Sequence, residues 1–479
     1  MLFNSFEFLL FLPIVLAGYF LLQVRFRWLW LLLASYVFYT YWNPWYIFLI
    51  LGSTLTDYYA ALQISKTPER KIKKRWLYLS LLVNLGLLFT FKYFDFFSLQ
   101  LAHVIHWLDP GYQAFFLEVL LPIGISFYTF QTLGYTIDVF QGKIKPEQHL
   151  GRFALYVNFF PQLVAGPIER AQDLIPQFHF DYHFDYQRVV HGLRQMLWGF
   201  FKKMVIADRL GLFVSAVFDH PGDHSGPVIW LAAALFFLQV YCDFSAYQDI
   251  AMGIARILGI KLSPNFLNRA YIFRSFAAFW RGWHMTLTRW IRDYLYIPLG
   301  GSRKGESRTI INILIIMFAI GLWHGANWTF IMWGVLNGVY LAVERAFRKP
   351  LAKAENLSSH PFYRQAWKWG AIVLCFNLYT LSMFAFRPQD ISHSIPFLMD
   401  CFDFSSIYWN PGISNFDFYL GLGLVVLMDL FHLWMKEQPI HEFLEKRHFL
   451  FRWIFYFVCI SAILYLAIPE QMQFIYFEF

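Results

Sequence analysis

Apolar runs recur along nearly the whole of this 479-residue chain, and few architectures can absorb them. They fall at roughly 6–22, 28–48, 49–64, 76–97, 117–140, 153–165, 192–218, 228–258, 310–330, 331–347, 369–386, 416–435 and 452–468. A membrane-spanning helix needs about 20 largely apolar residues, and many of these runs approach that length. The chain is 58% hydrophobic and only 15% charged, where a soluble domain is nearer about a quarter charged. The pattern predicts an all-α, polytopic helical membrane protein with about eleven spans. The N-terminus lacks a basic n-region and an obvious small-residue cleavage site, so Phe6 to Leu22 reads as a retained first span. The run 153–165 ends in Val164-Ala-Gly-Pro167 and reads as re-entrant. The run 192–218 holds Lys202, Lys203, Asp208 and Arg209, so it is expected to be buried in protein or to lie along a surface.

Charge asymmetry between the loops sets an orientation. Residues 66–75 carry six basic residues against one acidic, and 259–308 carry nine against two. The connection 348–368 is basic as well, whereas 98–115 has neither Lys nor Arg and 387–415 has one Arg against three Asp. Basic loops stay on the cytoplasmic side, which puts 387–415 outside and, through one last span, the C-terminus outside too. The net charge of +8 is spent on these loops and does not point to nucleic acid. Cys242, Cys375, Cys401 and Cys459 are scattered, without metal-type spacing, and read as small core residues. With no internal repeat or linker, the chain 1–479 reads as one membrane domain with an aromatic tail at 474–479.

Two histidines stand out against this background. Phe279-Trp-Arg-Gly-Trp-His284-Met-Thr-Leu-Thr-Arg-Trp290 holds the first, and Gly321-Leu-Trp-His324-Gly-Ala-Asn-Trp328 the second. Ionisable groups at membrane depth are costly and tend to be kept for function. Histidine is also the side chain best suited to proton transfer near neutral pH. Each also has a plainer reading, as a buried ring bonded to a backbone group. A two-histidine metal site lacks a third ligand at recognisable spacing, so none is expected. Arg281, Arg289 and Arg292 share a stretch that could be helical and hold a phosphorylated donor, or simply anchor a cytoplasmic loop. Asp243 and Asp249 are expected to pair with Arg256 or a helix end, and Gln131, Asp138 and Asn158 to be satisfied structural groups. The tail Phe474-Ile-Tyr476-Phe477 reads either as an interfacial anchor or as an insertion that carries the Tyr476 phenol.

Taken together, Phe279-Trp-Arg-Gly-Trp-His284, Arg292-Asp-Tyr-Leu-Tyr-Ile-Pro-Leu-Gly-Gly301 and Leu322-Trp-His324-Gly-Ala-Asn-Trp328 resemble the membrane-bound O-acyltransferase family. Leu121-Pro-Ile-Gly-Ile-Ser-Phe-Tyr128, Val164-Ala-Gly-Pro167 and Tyr241-Cys-Asp243-Phe-Ser-Ala-Tyr247 are similar to its bacterial alginate and peptidoglycan O-acetyltransferase branch. The resemblance implies a helical fold around a thin core with a central tunnel. It implies His324 as the catalytic base, with His284 in support. Trp323, Asn327, Arg281 and Arg289 become candidates for substrate binding. It further implies no cofactor, acetyl-CoA as donor substrate, a glycan acceptor, a periplasmic acetyl-transfer partner and a bacterial inner-membrane location. The tail resembles the C-terminal acyl-transfer motif of peptidoglycan O-acetyltransferases, in which the tyrosine, here Tyr476, is transiently acylated. Peptidoglycan or another cell-wall glycan is the expected acceptor, with alginate as the alternative. A lipid-linked-glycan flippase would show inverted repeats or paired broken helices, which this sequence lacks. A scaffold without chemistry would tolerate loss of His324.

Overall fold

The computed structural model describes residues 1–355, 360–388, 390–405, 407–468, 472, 474 and 475. Tyr476 and the three residues after it lie outside that set. Among the described residues all regular structure is helical. Among the described residues, seven helices are long and apolar enough to cross a membrane, beside about eleven spans expected from apolar runs. Phe6–Leu21, of 16 residues, is a shorter apolar helix. The expected run 117–140 is helical only from Ile125, because Pro122 and the left-handed Gly124 precede it.

The chain divides into two compact units. The first is Met1–Met196 with Tyr247–Ser263. Its helices Tyr46–Lys66, Arg70–Leu88 and Ile125–Phe140 meet around Asp57, which is fully buried. Asn84 Nδ2 donates to Asp57 Oδ2 at 2.6 Å and Thr136 Oγ1 to Oδ1 at 2.8 Å, while the Ser80 hydroxyl donates to the same Oδ1. Three donors from two other helices satisfy this carboxyl, so it serves as a pin between helices. Gln131, Asn158 and Asp138 are structural as expected. The first two donate to the carbonyls of Tyr156 and Ala154, and Asp138 pairs with Arg170 at 3.4 Å. The run 153–165 becomes two short helices, Leu150–Asn158 and Phe160–Leu163, broken at Phe159 and too short to span.

The second unit is Leu197–Ala246 with Pro264–Phe479. At its centre the helices Glu306–His324 and Trp328–Ala346 form an antiparallel pair. They cross on glycine: a Cβ added at Gly321 would stand 2.4 Å from the Phe330 carbonyl oxygen, and one at Gly334 would stand 2.4 Å from that of Met317. Such small residues let backbones approach where no hydrophobic force drives helices together. Helix Phe449–Leu466 buries only Cys459 and leaves Trp453 67% and Phe457 73% exposed. A helix apolar all round and this exposed requires lipid as its solvent. Lys202, Lys203, Asp208 and Arg209 are all buried, so the polar part of 192–218 is packed in protein and does not lie on a surface.

Sidedness is open to a direct test. Ser302 lies in an exposed turn ahead of helix Glu306–His324. All four native cysteines are buried and free, so a thiol placed at 302 is the one a polar reagent reads. In Ser302→Cys, a membrane-impermeant maleimide added outside is expected to leave the protein unlabelled, and lysing the cells to label it. Outside labelling would reverse the orientation.

Candidate active site

The two helices of the glycine pair are joined by Gly325, Ala326 and Asn327, and His324 closes the first of them. The break interrupts the apolar run in which His324 lies. Gly325 belongs there for a steric reason, since a Cβ at that position would stand 2.3 Å from the Phe330 ring. Asn327 is the helix N-cap, its side-chain oxygen accepting from the Thr329 N–H at 3.0 Å. His324 is 7% exposed and stands in an aromatic cage. Trp323, Trp333 and Phe386 meet its ring edge-on, with centroids at 5.0, 5.0 and 5.3 Å. Helix Glu306–His324 rises about 21 Å from Ile310 to His324, so a helix near the membrane normal carries the ring well away from the turn at Ser302.

His284 stands between the short helices Phe276–Gly282 and Met285–Ile291. Its backbone is left-handed, with φ +42° and ψ +53°, a conformation that costs a non-glycine residue about 1–3 kcal/mol and must be held by its surroundings. Asn265 does the holding. Its carbonyl accepts from the Met285 N–H at 2.9 Å, and its side-chain oxygen accepts from the Thr286 hydroxyl at 2.6 Å. The ring is 1% exposed and meets Phe244 edge-on at 4.9 Å and Trp323 at 5.9 Å. Burial pulls the His284 pKa down to about 3, so its imidazole is neutral at any working pH. A neutral ring is a hydrogen-bond donor at one nitrogen and an acceptor at the other.

Trp323 therefore touches both histidines, and the structure brings His284, Trp323 and His324 together. Arg281 and Arg289 are exposed. They lie on different helices, because the chain turns at Trp283–His284, and Arg292 pairs with Asp293 at 2.7 Å. The single arginine face expected from the sequence is thus broken. Asn265 is the clamp of this turn, although the local pattern Ser263-Pro264-Asn265 marks no more than a break in helix. Among the described residues no three His, Cys, Asp or Glu side chains are grouped as metal ligands.

Asp243 also departs from its expected partner. Its Oδ1 lies 2.7 Å from Lys203 Nζ, which lies 2.9 Å from Asp208 Oδ1. Its Oδ2 accepts the backbone N–H of Ile475 at 2.8 Å. Phe474 and Ile475 are 3% and 5% exposed, and Phe474 packs on Phe244, the ring that faces His284. The tail up to Ile475 is thus an insertion and not a surface anchor; the Tyr476 phenol itself lies outside the described residues.

Apolar helices that need lipid, together with two buried histidines against one tryptophan, set ionisable groups inside an integral-membrane protein. Sequence comparison gives the class its name. Residues 110–386 match the family model for membrane-bound O-acyltransferases, and the chain belongs to that family of acyltransferases. Both histidines lie inside the match and the tail lies beyond it. The chain is 39% identical over 394 residues to a probable alginate O-acetylase of Pseudomonas aeruginosa, covering 82% of this chain and 73% of that protein. It is 36% identical over 419 residues to a peptidoglycan O-acetyltransferase of Helicobacter pylori, covering 81% and 77%. Similarity extends at 28% identity over 286 residues to a teichoic acid D-alanyltransferase of Streptococcus thermophilus, covering 55% and 68%.

Proposed function

We propose that this chain is an inner-membrane O-acetyltransferase that takes acetyl from cytoplasmic acetyl-CoA and passes it outward to peptidoglycan or another cell-wall glycan. The observation that carries the proposal is the caged His324, with neutral His284 across Trp323. In this reading His324 takes the proton of an attacking hydroxyl as its oxygen bonds to the thioester carbonyl. His284 donates a hydrogen bond to the developing oxyanion, which a neutral, desolvated ring can do at little reorganisation cost. Collapse breaks the carbon–sulfur bond, and the thiolate of CoA recovers the proton from His324. The exposed Arg281 and Arg289 are proposed contacts for donor phosphates on the cytoplasmic face. Trp323 would pack against the acyl group, and Asn327 would shape the turn beside it.

The seating of Phe474 and Ile475 in the second unit supports a further step. The Tyr476 phenol would be the first nucleophile, and the resulting aryl ester would then pass acetyl to a periplasmic partner or the glycan itself. The names of the relatives support O-acetylation of an exported or cell-wall polymer. A second reading, alginate or another exopolysaccharide as acceptor, is favoured by the alginate-named relatives at 39% identity. Mass spectrometry of muropeptides and of secreted polysaccharide, from cells with and without this chain, separates the two. The expected result is loss of O-acetyl groups from peptidoglycan sugars. Loss confined to the secreted polymer would move the assignment to the second reading, and unchanged acetylation of both would overturn the proposal.

A further inference from the structure

The final membrane helix, Phe449–Leu466, does not release the chain into solvent. Arg209 binds the Leu466 carbonyl at its end and pairs with Asp417. Met472 then lies against Gly211, where an added Cβ would stand 3.2 Å from its sulfur. Two residues further on, Phe474 and Ile475 are buried. At this point the backbone meets a charged group built from buried side chains. Lys203 bridges Asp208 and Asp243, and all three are less than a tenth exposed. Two carboxylates and the ammonium between them lie in a poorly solvated place, and Arg387 lines the cavity beside them. Burying such charges is costly without further donors. The Ile475 N–H, on Asp243 Oδ2 at 2.8 Å, is one such donor. Lys203, Asp208, Asp243 and Arg387 line a cavity of about 40 Å³ together with Met472 and Ile475. Phe474 stacks edge-on against Phe244 at 5.7 Å, and Phe244 against His284 at 4.9 Å.

We propose that Asp243, held by Lys203 and Asp208, is a positioning residue that seats the C-terminal tail beside the reaction centre and so presents residue 476 for acyl transfer. This rests on the carrier reading of Tyr476 given above. The contact is to backbone, so the seat fixes the path of the tail whatever side chain stands at 475. It fixes a register as well. The residue whose N–H is bound is the one immediately before the tyrosine, so a shift by one residue would misplace the phenol by about 3.5 Å.

The test combines a thiol reporter with kinetics in the purified full-length protein. The native cysteines are buried, so a thiol introduced as Ile475→Cys reports on the tail alone while keeping the backbone N–H. In that background the thiol is expected to be shielded from an aqueous maleimide, and Asp243→Ala is expected to expose it. Asp243→Ala in the parent is expected to lower turnover for acetyl transfer to the acceptor by about 10–100-fold, the scale of one hydrogen bond to a charged group. The KM for acetyl-CoA should stay within about twofold, because the tail is not the donor's site. Asp243→Asn, which keeps an acceptor oxygen, is expected to restore most of the rate. Removing Asp243 leaves Lys203 paired with Asp208 at 2.9 Å, and Asp243→Leu, which fills the volume but offers no acceptor, serves if the alanine variant does not fold. A thiol that stays shielded in Asp243→Ala overturns the seat, whether or not transfer falls. So does an exposed thiol with transfer at the parental rate. Tyr476→Phe run in parallel keeps the two ideas apart. An inactive Tyr476→Phe beside a fully active Asp243→Ala removes the seat and leaves the carrier. A fully active Tyr476→Phe removes the carrier, and with it the seat's part in the reaction.

Discussion

His324→Ala is expected to insert, purify and bind donor like the parent, and to transfer acetyl about 10²–10⁴-fold more slowly, the range for loss of a general base. The ring lies at the end of helix Glu306–His324, enclosed by Trp323, Trp333 and Phe386. Alanine removes the imidazole and leaves the glycine crossing at Gly321 and Gly334 in place, so helix packing has little reason to fail. Detergent-solubilised protein, assayed for release of CoA thiol and for acetyl on the acceptor, gives the measurement. Parental rates in His324→Ala would remove it from the mechanism. His284→Ala is the comparison. It takes away the proposed oxyanion donor and keeps the Cβ that the left-handed backbone already accommodates, so a smaller loss in turnover is expected. Equal and complete loss at both positions would show the two rings acting as one unit.

Tyr476→Phe is expected to abolish acetylation of the outside acceptor while the protein remains folded, because phenylalanine keeps the ring and removes only the oxygen. The proposed sequence balances in two steps. In the first, the phenol oxygen attacks the acetyl carbonyl, the carbon–sulfur bond breaks, and the phenolic proton passes through His324 to the CoA thiolate. In the second, an acceptor hydroxyl attacks the aryl ester and the proton it loses returns to the phenolate. A phenol with an ordinary pKa of about 10 makes a good leaving group for the second step. The chain also reaches far enough. Seven residues from Pro469 cover up to about 25 Å extended, against a half-thickness of about 15 Å for the hydrocarbon core. Intact-protein mass spectrometry after brief exposure to acetyl-CoA should find the parent acetylated within 474–479 and Tyr476→Phe unmodified there. Wild-type transfer by Tyr476→Phe would leave direct transfer from donor to acceptor at His324.

Much of this protein is written in local pattern. Apolar runs long enough for lipid, interrupted by basic loops, define helices and a membrane without reference to any partner, because the cost of exposing or burying a side chain is set by its own chemistry. The Gly321 to Trp328 stretch marks a buried histidine for the same reason, although the helix break beside it at Gly325 to Asn327 is seen only in the fold. What only the tertiary structure decided is which of these pieces meet. His284 and His324 are far apart in sequence, and it is Trp323, in contact with both rings, that brings them together. Asn265 reads as a helix breaker until its oxygens are seen holding the left-handed turn at His284. Asp243 could have faced any cation on a neighbouring helix, and it faces Lys203 and the Ile475 N–H. The arginines that share one short stretch are parted by a turn whose stability comes from elsewhere in the chain. Periodicity and composition act over a few residues, whereas the choice of partner for a buried polar group depends on every helix packed around it, and that choice exists only once the chain has folded.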